Sequence, residues 1–197
     1  RTIFVDAEAN SNDRTNTLQW NAYEGWLGNV AGYNLYRDID GGMFNFLVSL
    51  PPTQLTYLDS VQDILNGEGN FCYYVEAYEG NGAPIGNPDP VVFAETSRSN
   101  EVCVRQRPDI YVPNAFMPTG VNNIFKPSTI YIDRSSYLFR VFNRWGQQVF
   151  ETTNPDEGWN GSTGGTESPQ GAYVFFISYV SSDGETYTKT GSVTLIR

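Results

Sequence analysis

The 197-residue sequence contains no histidine. Histidine is the side chain that titrates near neutral pH, and it is the most frequent general base and the commonest metal ligand. Its absence excludes every catalytic triad that depends on histidine. A hydrolase built on this chain would have to rely on carboxylates.

Two neighbouring pairs of carboxylates, Asp38 with Asp40 and Asp156 with Glu157, are the candidates for such chemistry. Glycosidase carboxylates must face each other across a sugar, which neighbours in a polar turn seldom do. The run Asp38-Ile39-Asp40-Gly41 is similar to part of a calcium loop, but the remaining oxygen ligands and the distal Glu are missing. We therefore expect turn chemistry here, and no catalytic residue, metal or cofactor.

Basic residues and long apolar runs are also scarce. The sequence has 12 Lys and Arg against 22 Asp and Glu, for a formal net charge of −10. Residues 1–107 hold fourteen acidic and six basic side chains, whereas residues 108–197 hold eight and six. A negative surface repels phosphate backbones, so we expect no nucleic acid as a partner. No apolar run approaches transmembrane length, so we expect no direct membrane insertion.

The sequence is rich in the residues of β-sheets, with 13 Tyr, 12 Phe and 19 Gly. Strand-like segments recur about every ten residues, which is typical of a sandwich. The length suffices for two small domains, and Arg105-Gln106-Arg107-Pro108 is the candidate linker. We predict an all-β protein of two tandem β-sandwich domains of the immunoglobulin or fibronectin III-like type, residues 1–107 and 108–197.

The two cysteines, Cys72 and Cys103, lie in segments that look like consecutive strands, Phe71–Ala77 and Ser99–Val104. Antiparallel pairing would set the start of one strand beside the end of the other and bring the sulfurs together. We expect a disulfide, which implies an oxidising compartment. The alternative is two buried free thiols.

The second half of the chain is organised around a predicted β-hairpin. Two apolar runs flank Asn143-Arg144-Trp145-Gly146 within Phe139–Phe150, and Gly146 can adopt a positive φ at low cost. Four other motifs accompany it in order: Val112-Pro113-Asn114-Ala115-Phe116, Gly158-Trp159-Asn160-Gly161, Pro169-Gln170-Gly171-Ala172-Tyr173 and Leu195-Ile196-Arg197.

This ordered set of motifs resembles the gliding motility-associated C-terminal domain. That family contains the type B sorting domains of the Bacteroidetes type IX secretion system. One departure is Thr119-Gly120-Val121-Asn122-Asn123, where many members carry a run rich in Asp. Any ion site that those Asp residues form in relatives is not expected in this chain.

The resemblance implies a function in protein transport. The chain would be the C-terminal part of a secreted, adhesin-like, gliding-motility-associated protein, and it would act as a sorting signal and not as an enzyme. The implied partners are the type IX translocon and an outer-membrane protein of the PorP/SprF kind. The implied route passes through the periplasm to the cell surface or the medium. Because the sequence begins with Arg1 and not Met, we expect a piece of a longer export substrate.

Residues 1–107 resemble a fibronectin type III domain and would act as a spacer. The resemblance rests on four segments: Leu18-Gln19-Trp20, Tyr33-Asn34-Leu35-Tyr36-Arg37, Tyr57-Leu58-Asp59 and Tyr73-Tyr74-Val75-Glu76-Ala77. It implies that Tyr73 forms the tyrosine corner, with its hydroxyl bonded to nearby backbone.

The candidate sorting and partner-binding residues belong to the motifs of the second half: Asn143, Arg144, Trp145, Gly146, Trp159, Gly171, Tyr173, Gly191, Leu195, Ile196 and Arg197. The last strand, Thr186–Ile196, would offer its backbone and the Leu195 and Ile196 side chains to a partner by strand addition. Arg144 and Arg197 are placed to bind carboxylates, either on a partner or within the domain, and the sequence leaves both open.

An alternative function is a carbohydrate-binding module of a secreted polysaccharide-degrading enzyme. Trp145 and Trp159 would then stack on surface glycans, whereas in a sorting domain they would pack in the core or against the hairpin. The segment Tyr173–Val180 is apolar on both of its faces. Its second face is either covered by loops or a docking surface.

Overall fold

The computed structural model describes residues 2–26, 29–80, 95–181 and 184–197. These residues form β-strands and one short 3-10 helix, and they contain no α-helix. The chain divides into two compact units. The first unit comprises residues 1–64 and 69–107, and the second comprises residues 65–68 and 108–197.

The first unit consists of two antiparallel sheets. Its strands are β1 (Val5–Asn10), β2 (Thr15–Trp20), β3 (Val30–Ile39), β4 (Asn45–Leu50), β5 (Thr56–Ser60), β6 (Asn70–Glu79), β7 (Thr96–Arg98) and β8 (Val102–Arg105). One sheet has the order β1-β2-β5, and the other has the order β4-β3-β6-β7, with β8 also pairing with β6. The alternation along β2 buries Leu18 and Trp20 on one face, as the sequence pattern predicts.

A disulfide joins Cys72 on β6 to Cys103 on β8. The two residues are direct partners in the antiparallel register, with their Cα atoms 4.0 Å apart. The bond closes a segment with a sequence separation of 31 residues, so it restricts the unfolded chain over a third of the first unit's sequence.

The expectation that Tyr73 forms a tyrosine corner is wrong. Its hydroxyl accepts a hydrogen bond from the Asn16 side chain at 2.6 Å and donates one to the Asp59 carboxylate at 2.7 Å. Arg37 also donates to both oxygens of Asp59 at 2.9 Å. Burial, with the nearby Asp59 charge, raises the pKa of Tyr73 above its usual range. Tyr73 is therefore part of a buried polar network between strands, and its hydroxyl does not bond to nearby backbone.

The second unit contains a larger sheet and two small ones. Its elements are β9 (Asp109–Tyr111), β10 (Ala115–Phe116), β11 (Ser128–Ile130), the 3-10 helix (Arg134–Ser136), β12 (Leu138–Phe142), β13 (Gln148–Thr152), β14 (Ser162–Thr163), β15 (Thr166–Glu167), β16 (Gly171–Val180) and β17 (Thr186–Leu195). The larger sheet has the order β10-β17-β16-β12-β13. The pairs β9-β11 and β14-β15 form the small sheets.

The core of the second unit lies on one face of the larger sheet. Alternate residues of β16 enter it: Tyr173, Phe175, Ile177 and Tyr179. Phe125 and Trp159 cover them from the other side, and their backbones exchange two hydrogen bonds, of 2.8 and 2.9 Å.

The opposite face of β16 is partly exposed. Val174 is 50% exposed, and Phe176 and Val180 are half-buried. This face is therefore neither fully covered by loops nor open along its whole length. None of the residues described above forms a helix with the length and apolarity that a membrane crossing requires.

Candidate functional site

The hairpin of β12 and β13 places Asn143-Arg144-Trp145-Gly146 in its turn. The side-chain oxygen of Asn143 accepts hydrogen bonds from the backbone N–H groups of Trp145 and Gln147, each at 3.0 Å. Gly146 has a φ of +79°, which a residue with a side chain rarely adopts. Asn143 and Gly146 therefore fix the turn, and Arg144 and Trp145 project from it.

Arg144 and Trp145 are both exposed to solvent. Trp145 is 77% exposed, and the Arg144 guanidinium carbon lies 5.3 Å from the centre of its indole ring. This is a cation–π distance. Among the described residues, no carboxylate forms an ion pair with Arg144.

The start of β16 faces this turn. Gly171 has a φ of +149°, and a Cβ atom placed on it would lie 3.5 Å from a terminal nitrogen of Arg144. The Tyr173 hydroxyl donates a 2.7 Å hydrogen bond to the carbonyl of Pro169, four residues upstream. This contact has the pattern of a tyrosine corner, in a unit for which the sequence predicted none.

A cleft of about 200 Å³ separates the turn from the segment that precedes β16. Arg144 and Trp145 contribute to one wall, Ser168 to Gly171 to the other, and Val149 and Tyr173 also line it. The structure thus brings five candidate residues together around one cavity: Asn143, Arg144, Trp145, Gly171 and Tyr173. The last two are 26 residues or more from the first three in the sequence.

Arg197 is bonded within the second unit. Its guanidinium forms an ion pair with Glu167 at 2.7 Å and donates to the carbonyls of Ser168 and Gly161, each at 3.1 Å. These contacts support the segment that forms the second wall of the cleft. The sequence left open whether Arg197 binds a carboxylate of a partner or one within the domain. In the structure, its guanidinium binds a carboxylate within the domain.

Other candidate residues are part of the core. Trp159 is fully buried, and its indole N–H donates to the Ser162 carbonyl at 2.8 Å, so it cannot stack on a sugar. Leu195 is also fully buried, so the expectation that its side chain faces a partner is wrong. Gly191 lies under the Phe175 ring, which a Cβ atom would approach to 2.7 Å. These residues are constrained by packing.

The strand β17 has a partly open edge. The N–H groups of Thr194 and Ile196 donate to the carbonyls of Asn114 and Phe116, at 2.9 and 3.0 Å, so they point away from β16. By strand alternation, the N–H groups of Thr186, Thr188, Thr190 and Ser192 point the same way. Because β10 pairs only with Thr194 and Leu195, these four groups have no backbone partner among the described residues.

The sequence does not indicate the three residues that bind the Arg197 guanidinium: Glu167, Ser168 and Gly161. They lie 29 to 36 residues from it, and no local pattern predicts such a contact. In the ranges that the structure describes, no group of three or more His, Cys, Asp or Glu side chains is placed to hold a metal ion.

The second unit is similar to a known family of protein domains. Residues 110–195 match the CHU_C Type IX secretion signal domain family. The second unit thus carries a type IX secretion signal domain. Domains of this kind mark proteins for export to the cell surface or the extracellular space, by interaction with the type IX secretion machinery. The cleft and the open edge of β17 both belong to this signal domain.

A search of curated proteins found no match. Among solved structures, the chain is similar to the FN1–FN3 domains of chicken CNTN1, with 11% identity, a TM-score of 0.37 and coverage of 98% of this chain. It is also similar to a tetra-tandem repeat in the extending region of a large adhesion protein, with 10% identity, a TM-score of 0.39 and coverage of 99%. The chain spans 65% and 49% of the lengths of those two structures.

Proposed function

We propose that this chain is the C-terminal part of a secreted, adhesin-like, gliding-motility-associated cell-surface protein, with residues 1–107 as a spacer and residues 108–197 as the sorting signal. The proposed partners are the type IX translocon and an outer-membrane protein of the PorP/SprF kind, which meet the folded signal domain after it reaches the periplasm. The match of residues 110–195 to the signal domain family carries this proposal.

The open edge of β17 is the proposed contact with the machinery. Thr186 to Ser192 offer four outward N–H groups at alternate positions, with the carbonyls of the same residues beside them. An extended segment of a partner can add to such an edge through backbone hydrogen bonds. Ile196, which is 37% exposed, is the residue of the terminal motif whose side chain is available beside it.

Proline at Thr190 tests the strand-addition contact. The Thr190 N–H points away from β16, so Thr190→Pro removes an edge donor without removing a bond to β16, and proline is tolerated at such positions. We expect the variant, fused behind a fluorescent reporter with an export signal, to fold and yet to reach the cell surface far less than the wild-type fusion. Thr190→Ala, which keeps the N–H, is the control.

Surface fluorescence and the thermal unfolding of the purified variants are the two measurements. Thr188→Pro blocks the same edge two residues away and should give the same result. If both proline variants fold and are secreted as well as Thr190→Ala, the edge of β17 is not the contact. Deletion of residues 191–197 is a poorer test, because it would remove buried Val193 and Leu195.

In the carbohydrate-binding alternative, only one of the two candidate tryptophans is accessible to a sugar. Trp145 is exposed at the rim of the cleft, whereas Trp159 is buried. A single exposed ring supports this second function less than the family match supports the first. Surface glycans therefore remain the secondary candidate partners of the proposed sorting domain.

A further inference from the structure

Arg144 differs from the other arginines of the second unit. Arg134 pairs with Asp156, Arg140 with Glu151 at 2.6 Å, and Arg197 with Glu167 at 2.7 Å. Arg144 lies on the same hairpin as Arg140, but no described carboxylate pairs with it. A guanidinium presents several N–H donors in a planar fork that matches a carboxylate, so Arg144 has unused capacity for such a ligand.

Gly171 lies beside Arg144 and presents no side chain to it. A terminal nitrogen of Arg144 is 3.5 Å from the point where a Cβ atom of residue 171 would stand. The cleft of about 200 Å³ continues from this point between Trp145 and Pro169. A ligand group in the cleft would therefore lie beside the guanidinium, which is one of the lining groups.

The charges around the cleft favour an anionic ligand. Of the described residues that line it, Glu167 is the one carboxylate and Arg144 the one cation. The charge of Glu167 is offset by its ion pair with Arg197, whereas that of Arg144 is not offset. In a chain with a net charge of −10, the cleft is thus a local positive site.

The walls of the cleft favour a peptide over a chain of sugars. Trp145 is the exposed aromatic ring among the lining residues, because the Tyr173 ring is buried. A row of exposed rings on which successive sugars could stack is therefore absent from the described lining residues. Pro169 and Ala172 are exposed and provide small apolar contacts for residues on either side of an acidic side chain.

We propose that this cleft binds an Asp or Glu side chain from an extended segment of a protein of the secretion machinery, with the Arg144 guanidinium as the carboxylate receptor and Trp145 as the apolar rim. This rests on the proposed sorting function and adds a second contact to it. The cleft would select a partner segment that carries an acidic side chain, whereas strand addition at β17 uses only backbone hydrogen bonds and does not depend on the partner's sequence.

Secretion of the whole chain tests the role of Arg144. A reporter with an export signal is fused to residues 1–197 and expressed in a cell with type IX secretion. Because a hydrogen-bonded charged pair contributes about 1.5–3 kcal/mol, Arg144→Gln should lower surface display about tenfold or more. Arg140→Gln, on the same hairpin, should change display less than about twofold, since it loses an exposed intramolecular pair.

The outcomes of this experiment separate the two proposals. If the wild-type fusion is not displayed, the sorting function fails, and the inference about Arg144 fails with it. If the wild-type and Arg144→Gln fusions are displayed equally, the sorting function stands and the carboxylate site is overturned. In cells carrying Arg144→Glu, suppressor mutations that restore display should change Asp or Glu to Lys or Arg in a machinery protein.

A binding measurement identifies the ligand class. The purified chain is titrated with acetyl-Thr-Val-Glu-Val-Thr-amide, with the same peptide carrying Gln in place of Glu, and with a galacturonate oligosaccharide. We expect the Glu peptide alone to shift the NMR signals of the Arg144 Nε–H and the Trp145 indole, and Arg144→Gln to abolish the indole shift. Shifts with the oligosaccharide and not with the Glu peptide would overturn the inference in favour of an acidic glycan.

Discussion

The hydroxyls of Tyr173 and Tyr73 show which hydrogen-bond partners of a buried tyrosine can be predicted from its neighbours in the sequence. Both tyrosines are buried near the start of a long strand. Tyr173 bonds to Pro169 backbone four residues upstream, whereas Tyr73 bonds to Asn16 and Asp59 on neighbouring strands. A spacing of four residues can be read from the sequence, but contacts 57 and 14 residues away cannot.

The Tyr173 hydrogen bond predicts a measurable contribution to stability. Tyr173→Phe removes the donor and leaves the Pro169 carbonyl without this partner, so we expect the second unit to lose about 1–2 kcal/mol of unfolding free energy. Urea unfolding of the whole chain measures this loss. Tyr111→Phe is the control, because Tyr111 is 70% exposed, and it should change stability by less than about 0.5 kcal/mol. Equal effects of the two substitutions would contradict the role of the corner.

Arg144 and Arg197 could not be distinguished from the sequence. Each follows an apolar stretch and each could reach a carboxylate. The structure separates them because the chain brings Glu167 to Arg197 and brings no described carboxylate to Arg144. In the folded chain, Gly171 also lies beside Arg144. At the scale of residues, the sequence was enough to find the motifs. Which motif residues pack inside the domain and which are exposed became clear only from their contacts in the structure.

Among the elements, the hairpin of β12 and β13 was the easiest to predict. Asn143 and Gly146 carry a local turn signal, and the flanking apolar residues pair as the pattern predicts. The parallel pairing of β10 with the end of β17 could not be predicted in the same way. It joins Ala115 and Phe116 to residues about 80 positions later, and β10 is only two residues long. That pairing limits the open edge of β17.

The disulfide between Cys72 on β6 and Cys103 on β8 gives a prediction at the scale of elements. In the chain-entropy description, closing a loop of this length stabilises the folded state by about 3–4 kcal/mol. We expect Cys72→Ala with Cys103→Ala to lower the stability of the first unit by about that amount and to leave the second unit unchanged. Urea-dependent hydrogen exchange, read separately on peptides from each unit, measures both. A loss below about 1 kcal/mol in the first unit would contradict this account of the bond.

Across the whole molecule, composition and periodicity predicted the all-β class. The recurrence of strand-like segments about every ten residues indicated sandwich-like sheets, which both units contain. Burial was harder to predict where a strand is apolar on both faces, as in β16. Its outer face is partly exposed because its neighbour β17 contributes Thr188, Thr190 and Ser192 there, not a covering loop.

The absence of histidine and the net charge of −10 describe the molecule as a whole, and the first of them excludes histidine-dependent triads. Under the proposed function, the same sorting signal is compatible with adhesion, gliding or polymer degradation as the activity of the protein it would deliver. The proposed function therefore requires that the second unit be a transferable signal.

The most direct test is the display of a fluorescent reporter fused to residues 108–197, in type IX-competent cells with and without the PorP/SprF-type partner. A matched fusion to residues 1–107 serves as the control. The account predicts that the reporter reaches the surface with residues 108–197 only when the partner is present, and never with residues 1–107. Retention of the 108–197 fusion in the periplasm under both conditions would contradict the claim that this unit is a sufficient sorting signal.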